Sequence, residues 1–597
     1  MNQKNMEVSR RAFLAGAVAG AAALSLPACA KESPKQGVSS QPADLPAEQI
    51  EASYEVINTD ILVLGGGNLG IGAALAAISE GRNVTIIDKG TFRHSGVSGL
   101  SWDYFLGQNH ENLMKAVAAG AVTENGKAVV NAAEFIGNFS GHNRFVFQVN
   151  MGQTLPDRDE AGRYIPFLTP DRTQGQFCRR HNDTLLSSPE LNVIDRTMIT
   201  DLLISNGRCL GAMGIYLPTG DFRVFRANAT IIATGGCTWF YGWRGVTPYS
   251  INVADNTADV AMAAYRRGAG IVNSEFSSYD VMSIQPEGLT CAFGAGVCGD
   301  AQEPHTIYDK NGDLLFDLED ERVWTDRSFF CRYMATAIEE EGRGTENNAI
   351  FINIGDSRLR YGNARNIAVL EKFGIKPREE KIEAVPEMYE HGGEPLVDEN
   401  MMTEIPGLFC GYNFSSGTGV MLNYYFGPYA GHCASVYAEK GESNNEEIDF
   451  SGADAEFIRL HGIRTKTTEK GLRPHEVRLA IQEAGYLGMG VYRSTNKLQA
   501  SIAEFERIRK EDLPRMAVAD NSLAFNTEWK DAIENYNLLD IAEMSVRASL
   551  LREESRGSYI RAEFPKVDND NWACALACYI DGDDMKFEKH YFGSAVG

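Results

Sequence analysis

Asp60-Ile61-Leu62-Val63-Leu64-Gly65-Gly66-Gly67-Asn68-Leu69-Gly70 is the stretch from which the fold can be read. Its first five residues are a short apolar run of the kind that forms a strand buried on both faces. The run enters Gly65-x-Gly67-x-x-Gly70, and an alanine-rich helix follows from Ile71 to Glu80, ended by Gly81. Asn83-Val84-Thr85-Ile86-Ile87 predicts a second strand that closes on Asp88 and Lys89. Each glycine has a physical task. Gly65 permits the tight turn, Gly67 lets backbone approach a pyrophosphate, and Gly70 allows close helix–strand packing, while the helix N-terminus faces the anion. An acid at the end of the second strand can accept hydrogen bonds from a ribose. With strand before, helix after and Asp88 in place, the motif predicts a dinucleotide site at Gly65, Gly67, Asn68, Gly70, Asp88 and Lys89.

The rest of the chain bounds what that site serves. At 597 residues it exceeds one simple core. With 44% hydrophobic and 23% charged residues it is neither collagenous, disordered nor a disulfide scaffold. A net charge of −24 argues against nucleic acid as a partner. The segment 1–30 reads as an address. Arg10-Arg11 followed by the apolar run Ala12–Leu26 matches a twin-arginine export signal, and that run is short for a bilayer span of about 20 residues. Ala28-Cys29-Ala30 fits a peptidase site, and Leu26-Pro27-Ala28-Cys29 fits a lipobox that would put a lipid anchor on Cys29; both readings stay open. Residues 31–57 read as a linker. The expected location is extracytoplasmic, in the periplasm or cell envelope. None of the 11 cysteines forms a C-x-x-C pair, so no zinc-ribbon, ferredoxin or heme c attachment spacing exists, and no metal site is expected.

Residues 191–236 alternate short strands with the turns Asn206-Gly207 and Thr219-Gly220-Asp221, ending in Ala229-Thr230-Ile231-Ile232-Ala233-Thr234-Gly235-Gly236. This arrangement resembles the Ala-Thr-Gly-Gly element of two-dinucleotide-fold flavoproteins. Gly407-Leu408-Phe409-Cys410-Gly411-Tyr412-Asn413 is similar to their late strand, which returns to the flavin. Over about 58–590 the chain resembles the flavoprotein subunits of fumarate reductase, succinate dehydrogenase and adenylylsulfate reductase. The resemblance is carried by Asn256-Thr257-Ala258-Asp259, Glu275-Phe276, Thr325-Asp326-Arg327-Ser328-Phe329-Phe330-Cys331-Arg332, Gly490-Val491-Tyr492-Arg493 and Arg552-Glu553-Glu554-Ser555-Arg556-Gly557.

The resemblance implies an α/β chain. A discontinuous Rossmann-like FAD-binding domain is expected at 58–275 and 387–445, an inserted α+β capping domain at 276–386, and a helical domain at 446–597. It adds Ser95, Gly96, Ala233, Gly235, Asp259, Asn413, Tyr429 and Ala430 to the cofactor set. The covalent flavin histidine of the family falls on Ser95, one residue after His94, so FAD is expected to be non-covalent. The family's proton-donating arginine falls on Arg327, with Arg332, Tyr333 and Asp280 as expected neighbours. Two positions depart from a dicarboxylate site: Asp280 stands where the family has a histidine, and Tyr424 where it has an arginine. Guanidinium is the usual carboxylate binder and tyrosine does not replace it. The implied activity is therefore reduction of an activated C=C bond in an organic acceptor such as an enone, enoate or unsaturated lactone. Its electrons would come from a separate cytochrome or iron–sulfur protein. The alternatives are a ketosteroid-desaturase-like dehydrogenase running the reverse reaction, and a redox subunit of a larger complex.

Overall fold

The computed structural model describes residues 52–92, 95–96, 187–242, 253–284, 306–315, 327–353, 369–377, 379–398, 400–411, 419–441, 448–466, 471–556, 559–572, 574–582 and 584–591. The expected export signal, Cys29, His94 and Asn413 lie outside them.

The first sheet is built on β1 (Glu55–Leu64), which pairs in parallel with β2 (Val84–Ile87). Ile61 to Leu64 are at most 1% exposed, as expected for a strand covered on both faces. β3 (Leu191–Ile194) extends the parallel edge beyond β2. On the other side of β1 lies β6 (Asp221–Ile232), reached through the antiparallel meander of β4 (Thr197–Ser205) and β5 (Arg208–Tyr216). The β4–β5 turn is Asn206-Gly207, both at positive φ (50° and 75°), the geometry that twists with a two-residue hairpin. β1 begins at Glu55 and not near 58, because Glu55 to Thr59 pair with Arg223 to Ala227 of β6; the expected linker is shorter by that stretch.

The helix Asn68–Ser79 connects β1 to β2, and the helix Gly419–Glu439 lies against it. Their approach needs glycine. A Cβ on Gly427 would stand 2.5 Å from Leu69 O, and one on Gly431 2.3 Å from Ala73 O. The helix Asp259–Arg266 follows the sheet and leads into the short β7 (Ile271–Val272).

The cap is a four-stranded antiparallel sheet of β8 (Ser277–Ser283), β9 (Thr306–Tyr308), β10 (Ile350–Asn353) and β11 (Ile382–His391), in the order β8-β11-β10-β9. The helix Arg327–Glu339 packs on β8 and β11. The chain returns from the cap through β12 (Glu394–Pro395), which pairs with β7, and β13 (Leu408–Cys410), which pairs in parallel with β6. The cap sheet thus extends past the expected boundary at 386, because β11 stays paired with β8 as far as His391↔Ser277.

Helices Ser451–Thr465, Pro474–Gly488, Thr495–Arg507 and Thr527–Leu551 form the C-terminal layer, with β14 (Tyr492–Arg493) and β15 (Ile560–Arg561) paired in parallel. The domain expected to be helical at 446–597 is mostly helical, and strands close its end. After the short helix Asn569–Trp572, β16 (Cys574–Asp581) and β17 (Asp584–Tyr591) form a hairpin, and β16 pairs with β7. Cys574 to Cys578 are at most 3% exposed, so this short apolar run meets the requirement of a covered strand, and Gly582 (φ 65°) supplies the turn. Among the described residues no helix is long and apolar enough to cross a membrane.

Candidate active site

The glycine-rich loop has the shape its spacing demands. Gly65 sits at φ 113°, and a Cβ there would meet Ala233 O at 2.3 Å. A Cβ on Gly70 would lie 1.9 Å from Gly65 O. Gly65 N donates to Ile87 O and Ala233 N to Leu64 O, each at 2.8 Å, so the loop and the end of β6 are stitched to the sheet. Gly67 is the N-cap of the helix Asn68–Ser79; no side chain caps it and no acid stands in its first turn. Its leading N–H groups are left for an anion. Asp88 Oδ2 accepts from Gly66 N (3.0 Å), while Oδ1 accepts from Gly90 N (2.9 Å) and Ser95 Oγ (2.7 Å). This fixes the carboxylate beside the loop. Gly96 (φ 73°) and Gly235 (φ 83°) turn the chain next to these residues, and Tyr429 and Ala430 are buried on the helix covering the loop. An uncapped helix start, a cradle that a Cβ would fill and a fixed acid fit FAD.

Lys89 and Asp259 meet one another. Lys89 Nζ is 2.7 Å from Asp259 Oδ2 and 2.6 Å from Glu534 Oε1, and also donates to Thr257 Oγ1 and Asp255 O. Asp259 Oδ1 accepts from Thr257 Oγ1 (2.9 Å) and Asn537 Nδ2 (2.8 Å). Glu534, fully buried, also takes Lys530 (2.9 Å) and Arg478 (2.7 Å). Burial alone would raise its pKa; Lys89, Lys530 and Arg478 overcome this and hold the carboxyl well below the ordinary range. Both residues were expected on the cofactor. Here their charged ends clamp the dinucleotide domain to the helix Thr527–Leu551.

The segments 272–280 and 387–394 run antiparallel between the cap and the dinucleotide domain. Gly392 N donates to Phe276 O (2.9 Å) and Gly393 N to Val272 O (3.1 Å). Asp280, 2% exposed, stands directly across from Glu387 in the β8–β11 ladder, and its Oδ1 accepts from Val281 N (2.9 Å). Glu387 is fully buried and neither carboxyl oxygen has a hydrogen-bond partner; burial lifts it well above the carboxylate range. His391 Nδ1 lies 2.9 Å from Ser277 Oγ and Nε2 2.9 Å from Ser545 Oγ. Burial, with Arg493 adding to it, pushes His391 down to about 3, so the ring is neutral. Glu394 lies against its own and Gly393's backbone N–H groups without reaching hydrogen-bond geometry, and burial pushes it up to about 8. The side chains of Asn273 and Ser274, at most 1% exposed, are also unpartnered. Each such group carries a desolvation cost of about 1–3 kcal/mol.

Buried arginines close the far side. Arg552 binds Glu275 Oε1 (2.7 Å) and Glu554 Oε1 (2.9 Å). Arg493 has no carboxylate within ion-pair distance among the described residues. It donates to Gly490 O, Glu275 O, Ser549 Oγ and Tyr279 Oη, and its guanidinium lies 4.3 Å from the Tyr559 ring.

Of the expected catalytic residues, Asp280 lies at this junction. Arg327 opens the helix Arg327–Glu339, and further along it Arg332 Nη2 donates to Tyr559 O (2.8 Å) and Tyr333 packs on the core. Tyr424 lies in the helix Gly419–Glu439. Sequence reasoning missed Glu387, His391, Glu394 and Arg493. For Glu387 and His391 the available signal was Val385-Pro386-Glu387-Met388-Tyr389-Glu390-His391-Gly392-Gly393, where two carboxyls and a histidine precede a Gly-Gly turn. The described cysteines form no disulfide with one another, all but Cys433 are buried, and no metal-binding cluster occurs among the described residues.

Residues 60–410 match the family described as FAD binding domain, and residues 478–593 the one described as fumarate reductase flavoprotein C-term. The chain is 25% identical over 564 residues to a subunit of the fumarate reductase (CoM/CoB) of Methanothermobacter marburgensis, covering 86% of this chain and 96% of that one. It is 25% identical over 445 residues to the fumarate reductase flavoprotein subunit of Mycobacterium tuberculosis, covering 70% of this chain and 75% of that one. The fold is similar to that of a substituted form of Escherichia coli quinol fumarate reductase FrdA, with a TM-score of 0.71 at 19% identity, covering 91% of this chain and 98% of that one.

Proposed function

Because the chain belongs to the FAD-binding fumarate reductase and succinate dehydrogenase flavoprotein family, and so is an FAD-dependent oxidoreductase acting on CH–CH groups, we propose that it reduces an activated C=C bond of an organic electron acceptor. We further propose that it does so outside the cytoplasm, exported by the Arg10-Arg11 signal and supplied with electrons by a separate redox protein.

The glycine loop 65–70, Asp88, Ser95, Ala233 and Gly235 would hold FAD, non-covalently. When bound, the cofactor supplies two-electron hydride chemistry. The protein's own share is orientation and the proton. Arg327 would hand a proton from its guanidinium to the acceptor's α-carbon, and with a hydride delivered to the β-carbon the double bond would gain two electrons and two hydrogens. Arginine ordinarily keeps its proton, so Arg327 must be reprotonated between turnovers. A developing enolate needs preorganised donors, and Tyr333 and Arg332 follow Arg327 on the same helix.

The observation that carries this reading is the packing of the Arg327–Glu339 helix on β8 and β11, whose paired residues include Asp280 and Glu387. Two buried acids facing one another are a poor receptor for a dicarboxylate. The test is anaerobic. The purified holoprotein is reduced with a viologen dye, and unsaturated acids, enones and lactones are offered as oxidants. Reoxidation by at least one, lost at least 100-fold in Arg327→Ala with FAD content unchanged, is the expected result. Turnover of Arg327→Ala at the wild-type rate would remove the assignment.

A further inference from the structure

We propose that Glu394 is a hydrogen-bond partner of the flavin ring of FAD, and that it offers the ring's pyrimidine edge an uncharged carboxylic acid. The inference concerns the cofactor alone and holds whatever acceptor the flavin serves.

The first observation is the direction in which the cofactor must lie. Ile87, Leu64, Ile232 and Cys410 stand side by side at the carboxyl ends of β2, β1, β6 and β13. Ile232 pairs with Leu64 on one side and with Cys410 on the other, so the four parallel strands follow one another in that order. Ligands of such sheets bind outside these ends. A pyrophosphate over the glycine loop after β1, with a ribose on Asp88 after β2, sends the adenosine half of FAD towards β2. The flavin half then runs the other way, over β6 and β13. Strands lie about 4.8 Å apart, so the end of β13 is about 10 Å from that of β1. Glycine follows β13 as it follows β1. Gly411 N donates to Ile232 O (3.3 Å), and a Cβ on Gly411 would stand 2.5 Å from Leu69 Cδ2.

The second observation is Glu394 itself. It opens β12, where the chain leaves the cap, and its carboxyl is near enough to Cys410 for its charge to add to the rise of that thiol's pKa. It is 7% exposed, and neither carboxyl oxygen has a hydrogen-bond partner. Buried polar groups in folded proteins are nearly always paired, so an acid left open beside the end of β13 marks a partner from outside the chain. Its backbone is fixed, because Glu394 pairs with Val272 and Leu396 N donates to Gly270 O (2.7 Å). Among the described residues the charged neighbour that acts on it is Glu390, which with burial favours the protonated form. A protonated carboxyl sets one donor beside one acceptor. The pyrimidine edge of a flavin has an N–H flanked by two carbonyls, so the acid can bond the N–H and one carbonyl together. A carboxylate would repel those carbonyl oxygens. The O–H also stabilises the negative charge that enters the ring on reduction.

The experiment needs no acceptor. The reduction potential of bound FAD is measured on the holoprotein by spectroelectrochemical titration. Glu394→Leu should shift the balance at least tenfold towards oxidised flavin, a fall of about 30 mV for a two-electron couple. Glu394→Gln, whose amide keeps a donor beside an acceptor, should stay within threefold of wild type. A wild-type potential in Glu394→Leu overturns the inference. Equal falls in both variants overturn it too, because a merely structural acid would lose its role in either. A second readout tests the pairing directly. FAD and FAD methylated at N3 of the flavin are loaded into deflavinated wild type and Glu394→Leu, and their affinities are compared. The methyl group should cost wild type at least tenfold more than it costs the variant, and an equal penalty in both overturns the pairing. Should Glu394→Leu not fold, wild type decides alone: binding of the methylated cofactor within threefold of FAD counts against the inference, and a loss of tenfold or more sustains it.

Discussion

Two buried polar regions among the described residues are built oppositely. At the end of β2, Lys89, Asp259, Glu534, Lys530 and Arg478 satisfy one another across four segments, and every charge meets its opposite. At the junction of the cap, Asn273, Ser274, Glu387 and Glu394 are as deeply buried and satisfy nothing. Desolvation acts on both. In the first, Coulomb attraction outweighs it and the groups stay charged; in the second no cation opposes it and the acids' proton affinity rises. A closed network fixes the C-terminal helix on the dinucleotide domain, whereas unpartnered groups only carry a desolvation cost.

The largest expected effect comes from breaking the closed network. Glu534→Gln leaves Lys89, Lys530 and Arg478 around a neutral amide, and removing one partner of a buried ion network costs about 3–5 kcal/mol. Urea denaturation of the variant should show this loss. A change under about 1 kcal/mol would mean the network is solvated, and the contrast between the clusters would collapse.

Glu394 tests the open cluster by pH. Its folded pKa of about 8 lies above the ordinary 4.5. A proton held only by the folded state stabilises it fully below the unfolded pKa and is lost as pH rises through the folded value. Wild-type stability should therefore fall between about pH 4.5 and 8, by at most about 1.4 kcal/mol per unit. Glu394→Gln removes this slope, so its melting temperature should gain on wild type as pH rises from 5 to 8. Parallel curves would mean that Glu394 is ionised in the folded protein.

How much of this was legible beforehand follows from range. The glycine loop, β1, β2 and the Asn206-Gly207 turn are local: the residues that need the geometry are the residues that show it. The β16–β17 hairpin was not legible, because what makes Cys574–Cys578 a strand is β7, some 300 residues earlier. Lys89 could be placed near the cofactor loop by the motif and Asp259 by resemblance, but Glu534, which engages Lys89, lies on a helix whose sequence only announces amphipathicity. Glu387 and His391 escaped because a lone acid or histidine in a strand reads as solvated. Only the pairing of β8 with β11 shows that these two are buried.

His391 should mirror Glu394. Its folded pKa of about 3 lies below the ordinary 6.5, so the unfolded chain binds the proton first. Stability is then lost as pH falls from about 6.5 towards 3, again by at most about 1.4 kcal/mol per unit. Other carboxylates titrate in the lower half of that window, so the readout is the difference between wild type and His391→Gln from pH 6.5 to 5. His391→Gln should lose less stability there. Identical losses would place a charged imidazolium at the junction.

The smallest effect is the most discriminating. Glu387→Gln is the same chemical change as Glu534→Gln at a position equally buried. If Glu387 is already neutral and unpaired, exchanging a carboxylic acid for an amide removes neither an ion pair nor a hydrogen bond. Stability at pH 7 should stay within about 1 kcal/mol of wild type, or rise. One substitution, made twice, then separates a charge that holds two domains together from a buried acid that holds nothing. A loss near 3 kcal/mol at Glu387 would show that it is ionised and paired, and the cap junction would be a second closed network.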